Sequence, residues 1–280
     1  MKPSITACVP TLDNSETLCK VLESIKQQTL PVRQLIVIDD GSKVPAVENC
    51  KTQGVEFHRN EICRGRGYAR AEAIKEANHQ LVFFCDATNI VPENFLAEAA
   101  PHFEDPKVAA VSGRIANIEK NAGAALRWRG RHLFKEDHIW GEKPLLASSL
   151  STYGTLMRKE AVLSVGNFDP NLVHSEDQEL GSRLIKAGFS IVGDPSLVVY
   201  SLRNDSVLSV LERYWRWNGG VEENMNFSDY LHAIRASLNP MLIGDVRDRD
   251  LKSALISLLC PHYGFLRSIS RLILGKNQRL

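Results

Sequence analysis

The chain has 280 residues, 44% hydrophobic and 24% charged, as is ordinary for a globular protein. A formal net charge of +1 argues against a broad basic surface, so no nucleic-acid partner is expected. No apolar run approaches the roughly 20 residues of a membrane-spanning helix, and the first residues lack the apolar core of a signal peptide. We therefore expect a cytoplasmic protein.

Six cysteines are scattered along the chain without a C-x-x-C pair. This spacing argues against a zinc site or a disulfide scaffold, so we expect reduced cysteines that mostly serve packing.

Apolar strands alternate with amphipathic helices in the first part of the chain. In chain order we predict a strand at SITACVP, a helix at SETLCKVLESIKQQT, strands at QLIVIDDGS and GVEFHR, a helix at GYARAEAIKEAN, a strand at QLVFFCD, a helix at ENFLAEAAPHF and a strand at VAAVSGRI. Runs that are apolar on both faces predict a parallel sheet covered by helices, which is an α/β fold.

After Gly113 the pattern becomes basic, aromatic and less regular. The segment TYGTLMRKEAVLSVGNFD predicts a strand, a helix and a turn, and SEDQELGSRLIKAGF and SVLERYWRWNGG predict helices. The remainder reads as a helical tail that Pro240 and Pro261 interrupt.

Acidic residues stand where predicted strands end or a helix begins: Asp39, Asp40, Asp86 and Asp177. Ligands of open α/β sheets bind outside the carboxyl ends of the strands. A single Asp at such a place is equally typical of a turn or a helix cap. Recurrence at two strand ends favours a binding site that includes Asp40 and Asp86.

An ordered set of motifs resembles the family 2 glycosyltransferases, which have the GT-A fold, over roughly Ile5 to Gly220. The motifs are VPTLDNSETL, IVIDDGS, GRGYARAEAIKEA, LVFFCDA, GTLMRKEAVLSVGNFD, SEDQELGSRLIKAGF and RYWRW. The resemblance implies a mostly parallel, Rossmann-like sheet flanked by helices in a domain of residues 1–220. Residues 1–112 would be the nucleotide-sugar-binding half, 113–220 the acceptor and catalytic half, and 221–280 a helical C-terminal extension.

The activity that the resemblance implies is transfer of a sugar from a nucleotide-sugar donor, a UDP-sugar, to an acceptor hydroxyl with inversion. Pro10 and Thr11 match the loop that holds the base, and Asp40 matches the carboxylate that accepts from the uracil N–H. An ionised carboxylate suits that role because it only accepts hydrogen bonds. Arg66 matches a basic position near the nucleotide; the alternative is an exposed charge at a helix start.

Asp177 in SEDQEL matches the family's general base. An inverting displacement needs a carboxylate that takes the proton of the attacking hydroxyl. The alternative is a carboxylate that stabilises a helix N-terminus. Glu176 is assigned to the acceptor side, although it could also serve as that helix-start carboxylate.

The segment RYWRW resembles the family's Q-x-x-R-W element, with Arg213 in place of Gln. Arg213 and Arg216 would face the donor diphosphate, for which a guanidinium offers a fork of donors. Trp215 and Trp217 are assigned to the acceptor side, where one could stack under a sugar; the alternative is that they bury a helix. The absent Gln argues against a processive synthase.

The family's metal-binding D-x-D is altered here. Asp86 and Ala87 keep the first two positions of this donor-binding stretch, but Thr88 replaces the second acid, and Ser201 stands where many relatives have His. Neutral hydroxyls are poor ligands for Mg²⁺ or Mn²⁺. Three alternatives stay open: weak metal binding by Asp86 with phosphates and water, replacement of the metal by Arg and Lys, or loss of catalysis. In the last case the chain would be a catalytically silent GT-A domain that binds nucleotide-sugar or a partner enzyme.

The acceptor, a glycan, a lipid-linked species or a protein, is expected to contact the segment from Asn121 to Leu146. Arg127, Arg129 and Arg131 there suit an anionic acceptor; the alternative is a solvated basic face.

The C-terminal tail predicts a basic amphipathic helix that could rest on the inner face of an anionic membrane. Alternatively it packs on the catalytic domain or in a dimer interface. Its apolar positions are Phe265, Leu266, Ile269, Leu272 and Ile273, and its basic ones Arg267, Arg271, Lys276 and Arg279.

Overall fold

The computed structural model describes residues 3–119, 123–136, 138, 141, 143–218 and 225–274. Within them, nine strands form one sheet. The strands are β1 (Ile5–Thr11), β2 (Gln34–Asp39), β3 (Glu56–Arg59), β4 (Leu81–Cys85), β5 (Asn89–Ile90), β6 (Val108–Asn117), β7 (Leu145–Leu146), β8 (Gly154–Arg158) and β9 (Ser190–Ser201).

The helices surround this sheet or follow it in the chain. They are α1 (Ser15–Lys26), α2 (Ala46–Asn49), α3 (Arg66–Glu76), α4 (Phe95–Ala99), α5 (Gly123–Trp128), α6 (Lys159–Ser164), α7 (Glu176–Lys186), α8 (Val207–Asn218), α9 (Phe227–Ala236), α10 (Ile243–Arg247) and α11 (Leu251–Leu274). A 3₁₀ turn covers Ala100–Glu104, and π-helical turns cover Arg129–Phe134 and Ser237–Leu242.

The chain forms two compact units. The first comprises Met1–Ile118 and Ile139–Arg203, and the second comprises Glu119–His138 and Asn204–Leu280. The sequence placed residues 1–220 in one domain, whereas the structure groups α8 with the C-terminal helices, because α8 packs on α11.

The strand order in the first unit is β3-β2-β1-β4-β8-β6-β9-β5, with β7 also paired to β9. Strands β1 to β4 run parallel, β8 runs antiparallel to β4 and β6, and β9 runs parallel to β6. The predicted α/β architecture is confirmed, with a mixed sheet because β8 reverses direction. The carboxyl ends of β1, β2, β4, β6 and β9 therefore share one edge.

Alternation along the buried strands produces a core on each face of the sheet. On one face Val9, Val37 and Phe83 pack with Leu18 and Leu22 of α1. On the other face the intervening strand residues, Cys8, Ile36 and Phe84 among them, pack with α3 and α7. Both faces are covered, as the continuous apolar runs predicted.

Cys19 of α1 and Cys50, which follows α2, form a disulfide. The prediction of reduced cysteines is wrong for this pair. The two residues are 31 apart in sequence, so no local spacing marks them, and only the packing of α1 beside α2 brings them together. Cys8, Cys85 and Cys260 are buried and lie outside this bridge.

The second unit has a core of its own around Trp128, Val210 and Ile256. Pro240 ends helical geometry between α9 and α10, since Asn239 is extended there. The prediction that Pro261 interrupts the tail is wrong: α11 continues through it. A proline cannot donate to the carbonyl four residues earlier, and Ser237 Oγ donates to that carbonyl, of Ser257, at 2.5 Å.

Of the helices described, none is both long and apolar enough to cross a membrane.

Candidate active site

A cleft of about 300 Å³ opens where β1 and β2 end in the first unit. It lies between the loop after β1 and the loop after β2, which Ser42 Oγ connects by accepting from the Asp13 N–H at 3.0 Å. The lining residues are Thr11, Asp13, Asn14, Ser15, Leu18, Ser42, Lys43, Val44, Ala46 and Asn49. Of the residues predicted for the base, Thr11 lines the cleft, and Pro10 is half-buried in β1 just before it.

Asp39 fixes the loop after β2. Its carboxylate accepts from the N–H groups of Ser42 and Ala46, both at 2.9 Å, and pairs with Arg59 at 2.8 Å. Burial alone would raise the pKa of Asp39, but the hydrogen bonds from Ser42, Ala46 and Arg59 together lower it.

Asp40 organises the loop that leads into α3. One of its oxygens accepts from Asn60 Nδ2 at 2.8 Å and the Arg64 N–H at 2.9 Å. The other accepts from the Gly65 N–H at 2.8 Å and Cys63 Sγ at 3.3 Å. A carboxylate offers about four acceptor positions, so a base N–H would have to displace one of these donors.

Two glycines let the start of α3 approach the loop before α7. Gly65 has φ of 101°, and a Cβ there would lie 3.1 Å from Val173 Cα. A Cβ on Gly67 would lie 2.1 Å from the Asp169 carbonyl oxygen, and the Gly67 N–H donates to Leu172 at 2.9 Å. The two glycines of the motif GRG thus allow the start of α3 to contact the loop before α7. Arg66, between these glycines, is exposed at the first turn of α3.

Arg70 is the residue that the sequence reasoning missed. It is buried on α3 and donates to Asp86 Oδ1 at 2.9 Å and to Glu176 Oε1. Burial alone would lower the pKa of Arg70, but Glu176, Asp86 and Asp177 raise it, so the guanidinium stays charged. The available signal was its spacing of four from Arg66, which puts both arginines on one face of the helix.

The two acids that open α7 differ in exposure. Glu176 is 2% exposed, and burial raises its pKa even though Arg70 opposes the shift. The prediction that Glu176 faces an acceptor is wrong, because its carboxylate is buried on Arg70. Asp177 is partly exposed; it accepts from the Gln178 N–H at 2.9 Å and from Thr152 Oγ1 at 3.4 Å.

The altered D-x-D stretch lies against the end of β9. The Ala87 carbonyl accepts from Thr17 Oγ1 at 2.6 Å, and the Thr88 carbonyl accepts from the Leu202 N–H at 2.8 Å. In the β5–β9 ladder Asn89 is opposite Ser201. Thr88 and Ser201, the two positions where the resemblance expects metal ligands, are therefore close neighbours.

These residues do not fit a protein-held divalent ion. Asp86 supplies one carboxylate, of which one oxygen already accepts from Arg70, and Thr88 and Ser201 are neutral. In the described ranges no cluster of three or more His, Cys, Asp or Glu could hold a metal. Mg²⁺ and Mn²⁺ prefer charged oxygen ligands.

The residues predicted from RYWRW lie on α8 in the second unit. Arg213 pairs with Asp205 at 3.1 Å, and Arg216 Nε lies 4.0 Å from Glu212. Trp215 is buried beneath the Arg267 guanidinium, 5.3 Å from the ring centre, which agrees with the alternative of a core residue. Trp217 is partly exposed, with its ring 6.3 Å from that of Phe134.

The three arginines of the segment from Asn121 to Leu146 are internal ion-pair partners of the second unit. Arg127 binds Asp250 through two nitrogens, at 2.8 and 2.9 Å. Arg129 donates to buried Asp205 at 2.5 Å, and Arg131 pairs with fully buried Asp245. The sequence analysis offered two hypotheses for these arginines, contact with an anionic acceptor or a solvated basic face. The structure instead pairs each arginine with an aspartate that is distant in the sequence.

Comparison with known proteins agrees with this architecture. The family model described as "Glycosyl transferase family 2" matches residues 6–166. The chain is 28% identical over 203 residues to the pre-mycofactocin glycosyltransferase of Mycobacterium tuberculosis, covering 70% of this chain and 42% of that protein. It is 25% identical over 224 residues to the poly-beta-1,6-N-acetyl-D-glucosamine synthase of Staphylococcus epidermidis. This match covers 75% of this chain and 53% of that protein. The chain thus spans about half the length of these relatives.

Two solved structures share the fold at 16% identity. GalNAc-T7 with UDP, GalNAc and Mn²⁺ superposes with a TM-score of 0.59, covering 98% of this chain and 58% of that one. The mannosyltransferase PcManGT of Pyrobaculum calidifontis, in complex with GDP-Man and Mn²⁺, superposes with a TM-score of 0.58. The match covers 100% of this chain and 77% of that one. The fold is therefore that of the GT-A glycosyltransferases. Within that class, the chain belongs to glycosyl transferase family 2.

Proposed function

We propose that the chain transfers a sugar from a nucleotide-sugar donor to an acceptor hydroxyl with inversion, and that Asp177 is the general base. The observation that carries the proposal is the chain of contacts from Asp86 through Arg70 to Glu176. It ties the end of β4 to the start of α7, where Asp177 follows with its carboxylate partly exposed.

In the proposed step, the Asp177 carboxylate takes the proton of the acceptor hydroxyl. The hydroxyl oxygen then attacks the anomeric carbon as the bond from that carbon to the diphosphate oxygen breaks. Attack from the face opposite the leaving group inverts the anomeric centre. General-base assistance of this kind contributes about 10²–10⁴ in rate.

For the donor, we place the base in the cleft beside Thr11. We assign Asp40 an indirect role, because it holds the loop of residues 60–65 through four hydrogen bonds. A uridine nucleotide remains our proposal; of the two similar structures, one holds UDP and the other GDP-Man.

The departing diphosphate gains negative charge and needs nearby positive groups. Arg66, which is exposed at the start of α3, is the cation that we assign to it. Both similar structures contain Mn²⁺, but at the three positions Asp86, Thr88 and Ser201 of this chain the one charged ligand for a divalent ion would be Asp86. Any such ion would therefore bind chiefly through the donor phosphates.

A catalytically silent domain that binds nucleotide-sugar is the second candidate. The observation that favours it is the pair of neutral side chains, Thr88 and Ser201, at the two ligand positions.

Donor hydrolysis measured with and without EDTA separates these candidates. An active enzyme releases nucleoside diphosphate and retains part of this activity in EDTA. A chain that binds UDP in calorimetry but never releases it from UDP-sugars is silent.

Calorimetry with UDP and GDP tests the donor assignment. Asp40→Ala should weaken UDP binding by about 1–3 kcal/mol, since the loop loses its buried acceptor. Equal affinity of the variant and the wild type would exclude any role of Asp40 in donor binding.

A further inference from the structure

Helix α11 has its polar and apolar sides reversed relative to an ordinary surface helix. Its buried positions are mostly small residues: Ser253, Ala254, Ile256, Ser257, Cys260, Pro261, Gly264 and Ser268. Its exposed positions are mostly leucine and isoleucine. A helix on the surface of a globular protein normally buries its apolar stripe and exposes its polar one.

The exposed leucines and isoleucines of α11 form one stripe. They are Leu251, Leu255, Leu258, Leu259, Leu266 and Ile273, each between 39% and 76% exposed. Their spacings of three, four and seven residues place them on one side of the helix. The helix has 24 residues, so the stripe extends for about 36 Å at 1.5 Å per residue.

The small residues on the opposite side explain why the leucines point outward. A Cβ on Gly264 would lie 3.2 Å from Trp215 Cδ1, so α11 approaches α8 closely there. The Trp128 indole donates to Ser257 Oγ at 2.9 Å, and Ser257 Oγ donates to Asp245 at 2.6 Å. These contacts fix the rotation of α11 and leave the leucine side exposed.

Helix α9 continues the apolar surface. None of its residues is buried, and Phe227 and Leu231 are exposed. Tyr230 joins it to α11, because its ring stacks on Phe265 with centres 4.4 Å apart and its hydroxyl lies 2.7 Å from His262 Nδ1. The surface is therefore two helices wide. We call it the α9–α11 face.

Basic residues accompany this face. From residue 251 to the last residue the sequence has five Lys or Arg and no Asp or Glu. Arg267 is paired with Glu212 at 3.3 Å, whereas Lys252 and Arg249 are exposed at the start of α11. Two copies of such a helix would repel each other, while an anionic lipid surface would attract it.

We propose that the α9–α11 face docks the protein on an anionic lipid bilayer, with its leucines in the headgroup and acyl boundary and its basic residues at the phosphates. A face that is broad and apolar, with Lys252 and Arg249 exposed at one end of it, has the properties of an interfacial helix surface. The proposal does not depend on the proposed function.

The test is co-sedimentation of the full chain with vesicles of phosphatidylcholine containing roughly a third phosphatidylglycerol, against phosphatidylcholine alone. The wild type should pellet with the anionic vesicles and be released as salt is raised. The double variant Leu255→Ser/Leu266→Ser should lower the partition coefficient by about tenfold or more. Leu163→Ser, which alters an exposed leucine of α6, is the matched control and should bind as the wild type does.

Three results would overturn the proposal. The first is a wild type that stays in the supernatant with anionic vesicles at low salt. The second is equal binding by Leu255→Ser/Leu266→Ser and Leu163→Ser. The third is a dimer in sedimentation velocity that only the double variant dissociates, without vesicle binding by either protein; the face would then join two copies of this chain.

Discussion

Arg70 connects two acids that belong to different motifs of the sequence. Its guanidinium binds Asp86 at the end of β4 and Glu176 at the start of α7. In the sequence the signal for Arg70 is its spacing of four residues from Arg66. Its partners could not be predicted, because no local pattern states which buried arginine meets which acid.

Removing either member of the buried Arg70–Glu176 pair should lower the free energy of unfolding by about 3–5 kcal/mol, since the other charge is left unpaired. Urea unfolding should be measured for Arg70→Met, for Glu176→Gln and for the double variant. The double variant should lose at least about 1 kcal/mol less free energy of unfolding than the two single variants lose together. Lys75→Met, which breaks an exposed pair with Glu72 on the same helix, should cost less than about 1 kcal/mol. Strict additivity of the two core substitutions would refute the coupling.

Thr88 is the residue that separates this chain from a D-x-D protein. Thr88→Asp should bind Mn²⁺ in the presence of UDP about tenfold or more tightly than the wild type, because a second charged oxygen joins Asp86. Thr88→Asn, which adds a neutral oxygen, should change the affinity little. If calorimetry finds the Asp variant no tighter, the Thr88 side chain does not point toward the diphosphate.

At the scale of elements, the periodicity of the sequence located most of the strands and helices of the first unit. Buried β-branched runs such as QLIVID match β2, and GYARAEAIKE together with the arginine before it forms α3. The two-residue strands β5 and β7 were not predicted, because such short ladders depend on a distant partner, β9. Pro261 does not end α11, because the hydroxyl of Ser237 donates to the Ser257 carbonyl, which the proline leaves without its helical donor.

The contact between α3 and the loop before α7 depends on a glycine. Gly67→Ala should lower the free energy of unfolding by about 3 kcal/mol or more, because its Cβ would overlap the Asp169 carbonyl oxygen and backbone would have to move. Gly244→Ala is the control: among the described residues, no atom beyond its own helix lies within 4 Å of its added Cβ, and alanine favours the helix. Thermal unfolding that ranks the two variants equally would contradict this packing.

For the whole molecule, the sequence predicted the α/β fold and the family, but not the division into units. The arginines of RWRGR looked like a ligand-binding surface because their acidic partners, Asp205, Asp245 and Asp250, lie far along the chain. The Cys19–Cys50 disulfide was hidden for the same reason. Pairings at long range are set by packing, whereas local periodicity informs only about the elements themselves.

The stability of the second unit should depend on pH through the carboxylate of Asp250. Hydrogen bonds from Arg127 and then from Ser253 outweigh burial and lower its pKa well below the usual range. Since the folded pKa is the lower one, the stability it contributes is present above the unfolded value of about 4 and is lost as pH falls further. Asp250→Asn should therefore cost about 1–3 kcal/mol near pH 7 and much less near pH 2.

Urea unfolding followed by tryptophan fluorescence measures this difference, because Trp128 and Trp215 are in the second unit. Asp248→Asn, at a more exposed carboxylate 3.3 Å from Arg131, is the control and should cost less than about 1 kcal/mol at either pH. A difference between wild type and Asp250→Asn that does not change with pH would contradict the role of this carboxylate.

The measurement that tests the central claim most directly is the rate of UDP release from a UDP-sugar by Asp177→Asn, beside its UDP affinity by calorimetry. We expect the affinity to stay within about twofold of the wild type, while turnover falls by about 10² or more, because the amide cannot take a proton. Glu179→Gln, which alters an acid of the same helix that pairs with Arg183, should turn over normally. Near-normal turnover in Asp177→Asn would show that the general base lies elsewhere.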